Sequence, residues 1–178
     1  ASGTTADDDS GNAHDYTYSA SNVTYEVAPG EFPTQLGNGV TFASGANAQI
    51  ENTLPDFGPA CSVICASDVA LPGTVGFVDI NGSERFLLFY YGSQQTIQGY
   101  NGGFINFGGG GGDGEHVWAM TADGTSWKLY CDGFHLDTAT GNQVDCTGDV
   151  DGAVGAYHDG TFPSNGSHFL SALYATTA

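Results

Sequence analysis

Apolar and polar residues alternate in short runs along most of this chain, and no long stretch carries the 3.6-residue repeat of an amphipathic helix. The clearest run spans residues 116–133. Val117 and Ala119 alternate with Trp118 and Met120, and after Asp123-Gly124 the residues Trp127, Leu129 and Cys131 alternate with Lys128, Tyr130 and Asp132. Glycine supplies the positive φ of a tight turn, so the pattern predicts two strands joined at 123–124, the second ended by Asp132-Gly133. Further short strands are predicted over 62–66, 74–80, 104–107, 153–157 and 167–175, with 40–43 and 48–51 as a hairpin around 44–47. Residues 84–91 are apolar at odd and even positions alike, which predicts a central strand covered on both faces. Short strands punctuated by turns, with 28 glycines in 178 residues, predict one all-β domain.

The N-terminal part reads differently. Residues 1–28 are expected to form a flexible, acidic and Tyr-rich arm, and residues 29–178 the β-sandwich domain. Within the arm Tyr16 and Tyr18, then Val23, Tyr25 and Val27, alternate as strand residues do. Such an arm either forms an outer strand of its own domain or adds to the open edge of a neighbouring copy. The second outcome makes it a self-assembly element of an extracellular filament.

The order His116-x-Trp118, then Asp123-Gly124, Trp127-Lys128-Leu129-Tyr130 and Asp132-Gly133 resembles the central hairpin of laminin G-like domains. These belong to the concanavalin A-like jelly-roll class. In them a Trp-bearing strand is followed by one reading Tyr-x-Asp-Gly. The closing Ala172-Leu173-Tyr174 is similar to their last strand, without its usual acidic residue. The resemblance covers about residues 75–175. It implies an all-β concanavalin A-like (laminin G-like) jelly-roll sandwich with an extended N-terminal arm. It also implies adhesion or carbohydrate binding and one calcium ion at the rim, for which Asp149 and Asp151 offer carboxylates, although the full calcium loop is missing.

Charge narrows the partners. Two Lys and Arg, Arg85 and Lys128, stand against 20 Asp and Glu, a net charge of −18. Nucleic-acid binding needs clustered cations and is excluded on this ground, and anionic membranes and polyanionic glycans are disfavoured. No apolar run is long enough to span a bilayer, and a chain beginning at Ala1 fits the mature form of a secreted protein. Four cysteines predict disulfides, with proximity favouring Cys61–Cys65 and Cys131–Cys146. Asn22, Asn81 and Asn165 begin glycosylation sequons.

Catalytic signatures are sparse. A retaining glycosidase needs two carboxylates about 5 Å apart, and none of the five Glu opens an alternating-acid motif. Asp113, Glu115 and His116 are the nearest candidates for a glycan hydrolase or lyase. The glycine run 108–112 lacks the Lys-Ser/Thr and helix of a phosphate loop. His116, His135 and His158 are candidates to converge on a metal. A pyranose stacks its C–H face on aromatic rings, which nominates Trp118, Tyr90, Tyr91 and Tyr157 as glycan-binding residues. The expectation is a secreted, non-catalytic structural or adhesive protein that binds extracellular glycan or itself, without membrane insertion. A glycan hydrolase or lyase and a calcium-dependent lectin are the alternatives.

Overall fold

The structure, a computed structural model, describes residues 5–6, 16–18, 23–27, 39–42, 48–50, 60–69, 74–81, 85–91, 96–101, 104–106, 114–140, 151–157, 159, 161–162, 164 and 166–175. Their regular elements are strands: β1 (Thr5–Ala6), β2 (Tyr16–Tyr18), β3 (Val23–Val27), β4 (Gly39–Phe42), β5 (Ala48–Ile50), β6 (Ala60–Val69), β7 (Val75–Asn81), β8 (Arg85–Tyr91), β9 (Thr96–Asn101), β10 (Phe104–Asn106), β11 (Gly114–Asp123), β12 (Ser126–Cys131), β13 (Phe134–Thr140), β14 (Asp151–Val154) and β15 (Gly166–Ala175). One sheet runs β1-β2-β5-β14-β7-β8-β9-β10 and the other β13-β12-β11-β6-β15-β4-β3. All pairings between them are antiparallel. Among the described residues no helix is long and apolar enough to cross a membrane.

The alternation read from residues 116–133 sets the inner face of the seven-stranded sheet. Trp118 lies opposite Cys131, Met120 opposite Leu129 and Ala122 opposite Trp127. Paired residues share a face, so these side chains meet Phe77, Ile80, Leu88 and Tyr90 of the other sheet in one core. Phe77 stacks on Trp118 across the gap, ring centroids 6.1 Å apart. Each large side chain so buried contributes about 1.5–3 kcal/mol.

Both Asp-Gly pairs are turns. Gly124 takes φ 89°, and the Asp123 carboxylate accepts bonds from the backbone N–H and hydroxyl of both Thr125 and Ser126 at 2.7–2.9 Å. The Ser126 and Thr125 N–H bonds, then the two hydroxyls, hold the Asp123 carboxyl well below the usual range. Asp132 (φ 50°) and Gly133 (φ 81°) form a second two-residue turn, both residues left-handed as in a type I′ hairpin. That turn returns the chain into β13, closing on the Cys131–Phe134 pair.

One expectation changes. The 40–43 and 48–51 segments are not a hairpin: β4 pairs with β15 and β3, whereas β5 pairs with β2 and β14 in the opposite sheet. Alternation predicts a strand but not its partner. The arm strands take the first of their two expected outcomes and pair within their own chain, Tyr16 opposite Ile50, Tyr18 opposite Ala48 and Val23 opposite Phe42, with Tyr25 and Val27 continuing β3. The expectation for 84–91 holds. Leu88 and Tyr90 face the core, while Leu87 and Phe89 on the opposite face are also buried.

Candidate functional site

The chain crosses from β14 in one sheet to β15 in the other through residues 155–164, and the described part of this crossover is firmly pinned. Gly155 N–H donates to Phe77 O at 3.0 Å, Gly76 N–H to Phe162 O at 2.9 Å, Tyr157 N–H to Thr161 O at 2.9 Å and Ser164 N–H to Gly155 O at 2.6 Å. The Asp159 carboxylate accepts from the Thr161 N–H at 2.9 Å and its hydroxyl at 2.6 Å. Gly76 lets the crossover sit this close: a Cβ there would lie 2.7 Å from the Ala156 carbonyl carbon and 2.8 Å from Tyr157 Cδ1.

This packing presents aromatic rings. Tyr157 stands edge-on to Phe89, centroids 6.0 Å apart. The Phe162 ring packs tilted against Tyr157, centroids 4.8 Å apart, and remains 47% exposed. Phe162 is held at φ 50°, a left-handed conformation that costs a non-glycine residue on the order of 1 kcal/mol or more. The carbonyl bond from Gly76 holds it there. The outcome is an exposed ring on a rigid base, the arrangement that stacks a sugar face with little ordering cost.

Behind the crossover lies a sealed polar cluster. His168 is buried, its Nε2 2.9 Å from Ser164 Oγ and its Nδ1 3.5 Å from Cys65 Sγ, with the Phe42 ring at 5.4 Å. Burial pulls the His168 pKa down to about 3 and pushes the Cys65 thiol up to about 12, against a weak bond from Ser171. A nucleophilic cysteine needs its thiolate, so this neutral pair is structural.

A third group sits in the seven-stranded sheet where β11 and β12 meet the Asp132-Gly133 turn. His116 Nδ1 donates to Asp132 Oδ2 at 2.8 Å, Val117 N–H to Asp132 Oδ1 at 2.9 Å and Asp132 N–H to Val117 O at 2.8 Å. Cys131 Sγ lies 3.7 Å from the same His116 nitrogen and 3.5 Å from Asp132 Oδ2. The His116 ring is edge-on to Trp118 at 5.4 Å. Burial, then the neighbouring Asp132 charge, pushes the Cys131 thiol up to about 12. Burial acts to raise the Asp132 carboxyl, but bonds from Val117, His116 and Cys131 outweigh it and hold the group below its ordinary value.

Several candidate residues fall elsewhere than expected. Trp118 is 1% and Tyr90 4% exposed, so both are core residues and offer no ring to a ligand. Tyr157 does lie at the aromatic step. Tyr91 belongs to β8, and its side chain lies outside the described residues. Cys61 and Cys65 sit four apart on the extended β6, about 13 Å at ~3.3 Å per residue. That exceeds the roughly 7 Å Cα limit of a disulfide, so they are not a pair. Cys131 carries a thiol, and Cys146 lies outside the described residues. Glu115 pairs with Asp68 on the face opposite His116, because adjacent strand residues point apart, so Glu115 and His116 do not converge. His135 bonds to Thr138 Oγ1 at 2.8 Å on the outer face, away from His116. Asn81 is partly exposed at the end of β7, and Asp151 begins β14 opposite it. Asn22, Asp113, Asp149, His158, Asn165 and the glycine run lie outside the described residues.

Phe162 was not among the sequence candidates. Its signal was the Asp159-Gly160-Thr161-Phe162-Pro163 segment, turn chemistry carrying an aromatic residue that no alternating strand pattern claims.

No family model matches the sequence, and no curated protein matches it. Solved structures do match the fold. Domain 4 of AbnA, an extracellular GH43 arabinanase from Geobacillus stearothermophilus solved with arabinotriose, is similar at TM-score 0.71 and 16% identity, covering 94% of this chain and 85% of that one. The CBM40 of Ruminococcus gnavus IT-sialidase, bound to α2,3-sialyllactose, is similar at TM-score 0.57 and 13% identity over 78% and 91% of the two chains. The Trypanosoma rangeli sialidase is similar at TM-score 0.64 and 17% identity, but the chain spans 29% of it. These likenesses establish the fold as a jelly-roll β-sandwich of the kind found in carbohydrate-binding modules and glycosidase-associated domains.

Proposed function

We propose that this domain is an extracellular glycan-binding module whose ligand stacks on the Phe162–Tyr157 step. The observation that carries the reading is the exposed Phe162 ring, held at a left-handed φ and backed by Tyr157 and Phe89. The neighbours support the same class, since one was solved with arabinotriose and another with sialyllactose. Charge selects between those ligand types. Arg85 lies opposite Asn81, at the far end of β7 from Gly76, and Lys128 lies on β12 of the other sheet. Both cations stand at strand positions away from Gly76 and the crossover, and the chain carries −18, so the ligand is a neutral oligosaccharide.

A glycan array followed by calorimetry tests this. Wild type is expected to bind neutral oligosaccharides, with Phe162→Ala at least tenfold weaker and its melting curve unchanged. Undiminished binding by Phe162→Ala would move the site elsewhere. Absence of binding across the array would end the glycan reading.

A further inference from the structure

We propose that His116 Nδ1, Cys131 Sγ and one carboxylate oxygen of Asp132 form a three-ligand site for a divalent cation of the zinc class, with a fourth position open to water. The three donor atoms lie within 4.8 Å of one another. Their separations are 2.8 Å for nitrogen to oxygen, 3.5 Å for sulfur to oxygen and 3.7 Å for sulfur to nitrogen. Tetrahedral zinc with ordinary bond lengths sets its nitrogen and oxygen donors about 3.4 Å apart and sulfur about 3.6 Å from each. Both sulfur edges already fit. The nitrogen–oxygen edge needs to open by about 0.6 Å, which happens when a cation replaces the shared proton.

The arrangement is not a nucleophile and its base. In a catalytic relay the nucleophile and the orienting carboxylate take opposite nitrogens of the imidazole. Here sulfur and carboxylate meet the same nitrogen. Donors converging on one point are what a metal requires. The donor types also choose the metal: thiolate, imidazole and carboxylate suit zinc and its neighbours, whereas calcium takes oxygen ligands.

The ligands are also oriented from outside the site. The Val117 N–H fixes the Asp132 carboxylate through its other oxygen, the backbone bond between Asp132 and Val117 fixes the turn, and the edge of Trp118 fixes the His116 ring. Asp132 is placed by a left-handed φ of 50°. That conformation is the ordinary one for the first residue of a type I′ Asp-Gly turn. The His116 and Asp132 side chains are 25% and 44% exposed, so a cation has a way in.

The test is cobalt titration of the full chain under a non-thiol reductant, with zinc as competitor and a thiol count on the protein as purified. One equivalent of cobalt is expected to give a thiolate-to-cobalt charge-transfer band that zinc abolishes. Cys131→Ser should lose the band. Asp132→Asn keeps a residue that tolerates the left-handed turn and should weaken cobalt at least tenfold while melting like wild type. A band that survives in Cys131→Ser would overturn the site. So would equal affinity in Asp132→Asn, or a thiol count showing Cys131 already oxidised in the purified protein.

Discussion

Burial of His168 makes a quantitative prediction about acid. Its pKa falls from 6.5 to about 3 because burial disfavours the imidazolium, and neither ring partner, Ser164 nor Cys65, carries a charge to offset that. The unfolded chain therefore binds a proton near pH 6.5 that the folded chain refuses until about pH 3. Stability is fully present above pH 6.5 and is lost as pH falls through that window. At ~1.4 kcal/mol per pH unit the loss approaches about 5 kcal/mol near pH 3 and is about 3 kcal/mol at pH 4.5. Net repulsion acts in the opposite direction, since protonating carboxylates relieves it in a −18 chain, whereas Asp123 and Asp132, held below their ordinary values, act in the same direction as His168. Wild type alone would mix the two effects. His168→Gln separates them, because Gln keeps hydrogen-bonding groups and does not titrate. Urea unfolding of both proteins between pH 7.5 and 4.5 is the assay. With a slope of roughly 2 kcal/mol per M, the midpoint advantage of wild type over the variant should shrink by about 1.4 M. A constant gap across that range would refute the neutral, buried His168.

Four other outcomes follow from the same contacts. Gly76→Ala puts a methyl against the Ala156 backbone, so it should cost about 1–3 kcal/mol and weaken glycan binding by lifting the aromatic step, read by thermal melts and calorimetry together. Trp118→Ala should cost about 3–5 kcal/mol while the folded fraction still binds glycan, because the ring is core. Trp118→Phe should be much milder, since the indole Nε1 is buried without a partner. Cys65 should resist thiol reagents in the native protein and react only on unfolding, measured as reagent uptake against denaturant, because it is buried with its pKa near 12.

What the sequence revealed and what it hid divide along a physical line. Local periodicity made β11, β12 and β8 legible, because facing alternates with residue number and nothing distant is needed to know which side chains share a face. Partner choice was not legible. Residues 40–43 and 48–51 alternate correctly for strands, yet β4 and β5 enter different sheets, since five intervening residues can arch between layers as well as turn within one. The same blindness misassigned Trp118: an aromatic residue on a strand is equally suited to core and ligand, and only the opposing Phe77 decides.

The candidate chemistry sits at two positions with left-handed backbone. Phe162 and Asp132 are the non-glycine residues with positive φ among the described residues. One presents an exposed ring, the other points a carboxylate at an imidazole and a thiol. A glycine at 132 would make the same turn at lower conformational cost, and a small polar residue at 162 would close the same crossover without exposing an aromatic. In both cases the hydrogen bonds that hold the residue come from β7 or β11, elements whose other residues build the sandwich. A rigid sheet with a few strained residues at its margins is how a scaffold holds a site in place. It predicts that Phe162→Gly leaves the fold at least as stable as wild type in urea unfolding while losing glycan, and that Asp132→Gly loses cobalt at a modest cost in stability, because the bonds from Val117 and His116 to its carboxylate go with it. Marked destabilisation by Phe162→Gly would show that this ring serves the fold and not a ligand.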